Sequence, residues 1–164
     1  MTQDERQVLQ RATRETVVAV KELVSEAWYG ALATTQPETG EPQCTRVGLT
    51  TLSDGTPIIL ASALTAHTPA LKADPRCSLL IGEVVTGDPL AQPRVTLACR
   101  AEEIDRETDA YATALERYLA AHPTAQAYAE LPDFRFFALR PRAARYVAGF
   151  GRAYDIAGAD LVAD

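Results

Sequence analysis

Residues 43–69 have the sequence QCTRVGLTTLSDGTPIILASALTAHTP, and this stretch decides the fold. In its first ten residues Val47 and Leu49 alternate with Arg46 and Gly48, which is the period of two expected for a strand with one apolar face. The stretch therefore begins with a strand that turns Val47 and Leu49 towards a core and carries Arg46 on its outer face.

A turn, a second strand and a helix start follow directly. Residues 53–56, Ser-Asp-Gly-Thr, predict a hairpin turn, and the continuous apolar run 57–62 predicts a strand that is covered on both faces. Thr68 suits the N-cap of a helix with Pro69 at its first position, so we predict a short helix over residues 69–73.

This arrangement favours a site for an anion. Arg46 on one strand, Ser62 at the end of the next and the helix start at 66–69 would bring a full positive charge close to backbone N–H groups. Phosphate is the ligand that such a site is best suited to bind. Arg46 alone is equally well explained as a solvated surface residue, but it would become a buried anion ligand if a second subunit covered the outer face.

Composition and charge limit the remaining possibilities. The chain has 164 residues, 47% hydrophobic and 23% charged, which fits one globular domain over residues 1–164. A formal charge of −6 disfavours nucleic acid or an anionic membrane as partner. The N-terminus lacks the features of a secretory signal, so we expect a cytoplasmic protein. Cys44, Cys77 and Cys99 are expected to be small buried side chains, and two histidines 55 positions apart give no support for a metal site.

The rest of the chain predicts a small antiparallel barrel with peripheral helices, an α+β fold that is mainly β. Thr2 and Glu5 fit a capping box before a helix over residues 4–26, and the barrel is expected over residues 30–103 and 134–153, with a helical excursion over 105–130 between them. The individual segments are strands at 30–34, 43–52, 57–62, 77–85 and 94–103, helices at 105–122 and 125–130, and a last strand at 134–139 and 143–147 interrupted at Pro141.

Other chemistries find little support. No Gly-x-Ser-x-Gly motif occurs, the glycines at 149 and 151 lack the pattern of a phosphate loop, and no carboxylate pair suggests acid/base hydrolysis. The anion site remains the main candidate.

Several motifs share one family pattern, and the chain resembles that family between about residues 31 and 153. The motifs are Arg46-Val47, Asp54-Gly55-x-Pro57, Ser62-x-Leu64-x-Ala66-His67-Thr68, Asp74-Pro75-Arg76-x-Ser78-Leu79-Leu80, Gly87-Asp88-Pro89-Leu90 and Arg94-Val95-Thr96-Leu97. They resemble the pyridoxamine 5′-phosphate oxidase-like split-barrel flavoproteins, and within these the branch associated with heme utilisation. The resemblance implies a six-stranded antiparallel split β-barrel, a homodimer, and FMN bound at the dimer interface.

Carried over by position, the resemblance assigns cofactor contacts to seven residues. Arg46 would hold the phosphate of FMN, and the backbone of Val47 and Gly48 would run along the isoalloxazine ring. Phosphate and ribityl contacts would come from Ser62, His67 and Thr68. Arg94 falls where the oxidases place a glutamine near the ring. The chain departs from the pattern at His67, where the oxidases have a permanently charged residue, and at Cys99, where a glycine is frequent.

The function implied by the resemblance is that of an FMN-dependent oxidoreductase with an unassigned substrate. Pyridoxamine phosphate itself is not the expected substrate, because residues 154–164 lack the Arg-x-His element that would seat it. The alternatives are a heme-binding or heme-degrading protein with His67, His122 or a tyrosine as axial ligand, a flavin-binding module without turnover, and a related deazaflavin in place of FMN. Relatives in the heme branch often have a further C-terminal domain that contributes to heme binding. This sequence stops before any such domain, so we expect a stand-alone barrel.

Overall fold

A computed structural model describes residues 9–163. These residues contain three α-helices and eight strands, with short 3-10 turns at Pro89–Ala91, Pro123–Ala127 and Gly158–Asp160. In chain order these are β1 (Leu9–Arg11), α1 (Arg14–Glu26), β2 (Tyr29–Thr35), β3 (Pro42–Thr51), β4 (Pro57–Ser62), α2 (His67–Ala73), β5 (Arg76–Ile81), β6 (Arg94–Glu103), α3 (Asp109–Ala121), β7 (Phe134–Val147) and β8 (Ala153–Ala157).

Six of the strands close into an antiparallel barrel. The strand order β7-β4-β3-β2-β5-β6 is completed by pairing of β6 with β7, and β8 and β1 extend the sheet beyond β7. The predicted hairpin forms, with Leu49 opposite Ile59 and Thr51 opposite Pro57. The predicted six-stranded split barrel with peripheral helices is therefore confirmed.

Two apolar clusters explain why the barrel holds together. The first fills the barrel interior, where Val20 and Val24 of α1 pack on strand residues such as Leu97. The second lies between the barrel wall and α3, where Tyr118 packs with Ile58 and Phe136. Every residue of β4 except Ser62 is buried, because β4 contributes to both clusters. This confirms a strand that is covered on both faces.

The first helix begins later than predicted. Residues 9–11 form a strand that pairs in parallel with β8, so the chain cannot be helical there. Thr13 caps α1 instead: its hydroxyl accepts from the backbone N–H of Thr16, and the Thr16 hydroxyl accepts from that of Thr13. The predicted capping box of Thr2 and Glu5, and the predicted helix over residues 4–8, lie outside the described residues.

The helix predicted over residues 69–73 also has a different start. It begins at His67, and its N-cap Ala66 makes no side-chain capping bond. Thr68 is not the cap that the sequence suggested, because its hydroxyl donates to the carbonyl of Ser62 at 2.6 Å. That bond ties the helix to the end of β4.

Strand ends and one proline account for most other differences. The strand predicted to reach residue 85 ends at Ile81, and β7 runs without interruption through Pro141. Opposite this proline the register of β6 and β7 shifts between Ala98 and Cys99, and such a bulge leaves room for a residue that has no N–H to donate.

Strand β8 was not predicted. The excursion helix begins at 109 rather than 105, and the helix predicted over 125–130 is a 3-10 turn at Pro123–Ala127.

The cysteines divide into two groups. Cys77 and Cys99 are buried as predicted, and burial raises the pKa of the Cys77 thiol to about 12. The prediction was wrong for Cys44, which is exposed because it shares the outer face of β3 with Arg46.

Candidate functional site

A cleft of about 360 Å³ lies between the outer face of β3 and β4 and the helical excursion. The structure brings five of the predicted residues together here: Arg46, Val47, Gly48, Ser62 and His67. The rest of the lining is made by side chains that the sequence did not single out for the site. These are Leu60, Thr65, Tyr118, Tyr128 and Phe134.

Arg46 carries the free charge of the cleft. Its side chain is exposed, while its neighbour Val47 is buried in the barrel, as the alternation predicted. The guanidinium carbon lies 5.6 Å from the ring centroid of Tyr29, a cation–π distance. Among the described residues Arg46 takes part in no ion pair or side-chain hydrogen bond, so its donors are available to a ligand.

His67 is a buried part of the cleft floor. Its side chain is 5% exposed, and its Nδ1 and Nε2 atoms each lie 3.0 Å from a hydroxyl, of Thr45 and Thr65 respectively. Burial lowers the pKa of His67 below its ordinary value of about 6.5. The imidazole is therefore neutral at pH 7, and Arg46 is left to supply the full positive charge.

The hydroxyl residues of the site form a supporting network. Ser62 Oγ donates to the Asp133 carboxylate at 2.8 Å and accepts from the backbone N–H of Leu64 at 3.1 Å. Thr68 is 3% exposed and does not line the cleft, but its hydroxyl lies 3.0 Å from that of Thr65. Sequence reasoning missed Asp133, because 71 positions separate it from Ser62 and no local pattern connects them.

Arg94 lies outside this cleft. It begins β6, and its guanidinium donates to the carbonyls of Leu90 at 2.9 Å and Gln92 at 3.2 Å, which holds the loop before the strand. Its contact with a cofactor stays a prediction.

Tyr118 is the main residue that the sequence did not suggest for the site. Its helical spacing with Tyr111 and His122 indicated a helix face, but not which surface that face covers. The hydroxyl of Tyr118 lies 2.7 Å from the position that a Cβ on Gly48 would occupy, so glycine at 48 allows α3 to pack on β3. Burial raises the pKa of Tyr118, and its hydroxyl makes no hydrogen bond to the described residues. It is therefore a protonated donor at the wall of the cleft.

His122 connects the excursion to the barrel. Its ring stacks on Tyr118 with centroids 4.4 Å apart, and its Nε2 lies 2.9 Å from the carbonyl oxygen of Leu49, so that nitrogen carries the proton and donates. Within residues 9–163 no group of three or more His, Cys, Asp or Glu side chains could hold a metal ion. None of the described helices is long and apolar enough to span a membrane.

Comparison with known proteins identifies the family. A family model described as pyridoxamine 5′-phosphate oxidase matches residues 17–148, most of the chain. The chain belongs to this family. Solved structures of the pyridoxamine 5′-phosphate oxidase family agree at the level of fold: one from Clostridium acetobutylicum, related to general stress protein 26, superposes with a TM-score of 0.65 at 14% identity, covering 89% of this chain and 96% of that one.

Several relatives of this oxidase-family chain have names that refer to heme. It is 30% identical over 139 residues to the non-canonical heme oxygenase HOZ, chloroplastic, of Arabidopsis thaliana. This match covers 84% of this chain and 42% of the relative. It is 27% identical over 110 residues to the heme oxygenase HutZ of Vibrio cholerae, covering 63% and 61%. A heme-binding protein from Mycobacterium smegmatis superposes with a TM-score of 0.83 at 31% identity, covering 92% and 61%.

These comparisons confirm the predicted resemblance to the family and to its heme-utilisation branch. The chain spans less than two thirds of the length of each of these three relatives.

Proposed function

We propose that this chain is an FMN-binding flavoprotein and an oxidoreductase that holds its cofactor in the Arg46 cleft. The observation that carries this proposal is the free guanidinium of Arg46 beside a cleft lined by hydroxyls. Arginine is well suited to this role, because its planar fork can donate two hydrogen bonds to one phosphate group.

The chain's own residues would bind and orient the cofactor. Arg46 would neutralise the phosphate, and neutral His67 would keep the hydroxyls of Thr45 and Thr65 in place on the cleft floor. Tyr118 would offer its hydroxyl as a donor from the opposite wall. When bound, FMN supplies hydride and electron transfer, which none of these side chains can perform alone.

The outer face around Arg46 supports a homodimer with the cofactor at its interface. Ala31 lies between Arg46 and Leu80 in the register of β3, β2 and β5, so the three side chains share this face. Leu80 is 44% exposed and Trp28, just before β2, is 59% exposed. A second copy that covered this face would bury these apolar side chains and enclose the shallow cleft.

Heme binding or degradation is the second candidate function, because the relatives named above are described as heme oxygenases or heme-binding proteins. His67, as placed, does not fit an axial ligand, because both of its ring nitrogens face threonine hydroxyls. His122 donates from Nε2 to the carbonyl of Leu49, which leaves the lone pair of Nδ1 for iron, and metal-ligating histidines commonly donate from their other nitrogen in this way. Tyr128, which lines the cleft, is the tyrosine candidate.

The absorbance spectrum of the purified protein separates the two candidates. We expect flavin bands, or a rise in melting temperature when excess FMN is added. A protein with neither property would rule out FMN. A Soret band on hemin titration that disappears in His67→Ala or His122→Ala would establish heme with a histidine ligand in its place.

Replacing Arg46 tests the location of the site. Arg46→Ala should weaken FMN binding by about 2 kcal/mol, roughly thirtyfold, because a charge-assisted pair with the phosphate is lost. Arg100→Ala is the matched control, since Arg100 is an exposed arginine on β6 outside the lining of the cleft. Equal FMN dissociation constants for both variants would place the phosphate elsewhere.

A further inference from the structure

A second cavity lies at the end of the barrel that α1 covers. It has a volume of about 420 Å³ and shares no lining residue with the Arg46 cleft. Its volume falls within the range of small-molecule sites in proteins. Whatever it binds is therefore independent of the proposed flavin site.

The cavity has an apolar floor and ordered walls. Val24 of α1, Leu97 of β6 and Leu161 near the C-terminus line it, and each of them is less than a tenth exposed. One wall is fixed by the backbone N–H of Ala163, which donates to the carbonyl of Asp54 at 2.8 Å. An apolar part of a ligand would face these side chains.

Two cations stand at the exposed rim of the cavity. Lys21 of α1 and Arg117 of α3 both line the cavity, and neither takes part in an ion pair of the described residues. Arg117 Nε donates to the carbonyl of Thr51 at 2.5 Å, which fixes the guanidinium and leaves its two terminal nitrogens free.

Neither carboxylate of the lining forms an ion pair with these cations. Asp54 accepts from Thr56 N at 2.8 Å and pairs with Arg140 at 3.3 Å, and Arg140 also pairs with Glu102. Glu22 is the other acidic side chain of the lining, and it is exposed at the rim. An apolar interior with two unpaired cationic donors at its mouth matches an amphipathic anion.

We propose that this cavity binds an organic monocarboxylate, with its alkyl chain among Val24, Leu97 and Leu161 and its carboxylate between Lys21 and Arg117. Both ends of the ligand are required: the alkyl chain gains by leaving water, and the carboxylate gains charge-assisted hydrogen bonds. Neither assignment depends on FMN or heme.

Octanoate is the probe, and 1-octanol is its neutral counterpart of equal chain length. We expect saturable octanoate binding by calorimetry on the full chain, with amide chemical-shift changes confined to residues around Val24, Gly55 and Ala163. Octanol should bind at least about tenfold more weakly, because it lacks the charge. Absence of octanoate saturation up to about 10 mM, or equal binding of octanol, would overturn the proposal.

Two rim variants test the charge directly. Lys21→Met and Arg117→Gln should each weaken octanoate about tenfold, and glutamine keeps an N–H for the Thr51 carbonyl. Lys72→Met is the control, since Lys72 pairs with Glu103 away from this cavity. Unchanged octanoate affinity in both rim variants, with octanol binding unaffected throughout, would show that Lys21 and Arg117 do not hold the carboxylate and would refute the site.

Discussion

At the scale of single residues, Gly48 decides how the cleft is built. The space that its side chain would fill is occupied by the hydroxyl of Tyr118 at 2.7 Å and by Cε1 of His122 at 3.2 Å. From the sequence, the role predicted for Gly48 was only that its backbone would run along a flavin ring. The structure adds a reason within the chain itself, because the absence of a Cβ lets the excursion pack against β3.

Gly48→Ala should therefore destabilise the fold by about 1–3 kcal/mol, the usual cost of overpacking. Without the contact, alanine would be favoured in a strand by about 0.5–1 kcal/mol. The free energy of unfolding by chemical denaturation measures the effect. Adding Tyr118→Phe to this variant removes the hydroxyl that alanine meets, and it should restore part of the loss; a double variant no better than the single one would contradict the contact.

His67 makes stability depend on pH. Its pKa is lowered by burial in the folded state, so the unfolded chain binds a proton more readily than the folded one does. The contribution of His67 is therefore fully present above about pH 6.5 and is lost as the pH falls towards the lowered folded pKa. We expect the free energy of unfolding to fall between pH 7 and 5 more steeply in the natural chain than in His67→Gln. If the free energies of unfolding of the two proteins change with pH in parallel, the pKa of His67 is not lowered by folding.

The same burial changes what His67 can do for a ligand. From the sequence it was a titratable partner of phosphate at a helix start. Thr65 is only two residues away, but Thr45 comes from β3, 22 positions earlier, and no local motif shows that the ring is buried between them, so the neutral state could not be predicted. An FMN affinity that is flat between about pH 7 and 8.5 is now the expected result.

At the scale of elements, strand pairing at residues 9–11 and the cap at Thr13 set the start of α1. Thr13→Ala should destabilise the protein by about 1 kcal/mol, because it removes the acceptor for Thr16 N–H at the N-cap. Thr113→Ala is a matched control, since Thr113 is exposed in the middle of α3 and alanine favours a helix there. Equal unfolding midpoints for the two variants would show that the cap does not contribute.

Elements with a strong local pattern were predictable from sequence, and elements that depend on distant partners were not. The alternation in β3 and β6 and the turn at Ser53–Thr56 each contain their own signal, so their bounds agree with the structure within one or two residues. Strands β1 and β8 contain three and five residues and exist because they pair with each other and with β7. No local rule indicates such a partnership.

At the scale of the whole molecule, the outer face of β2, β3 and β5 should be the surface that associates. Leu80 lies on this face and is 44% exposed, and Val18 of α1, 46% exposed, is a side chain of nearly equal exposure elsewhere. We expect Leu80→Lys to raise the dimer dissociation constant by at least about tenfold, because a charge would be buried in the interface. Light scattering coupled to size-exclusion chromatography measures the mass, with Val18→Lys as control.

FMN binding should depend on dimer formation if the dimer interface completes the cofactor site. FMN affinity measured at a fixed protein concentration should fall in Leu80→Lys and stay unchanged in Val18→Lys, although neither position lines the Arg46 cleft. Circular dichroism of both variants must match that of the natural chain, so that a loss of affinity reports association rather than unfolding. If Leu80→Lys is monomeric and binds FMN as tightly as the natural chain, the cleft of one protomer is sufficient, because all the binding energy then comes from contacts within that protomer.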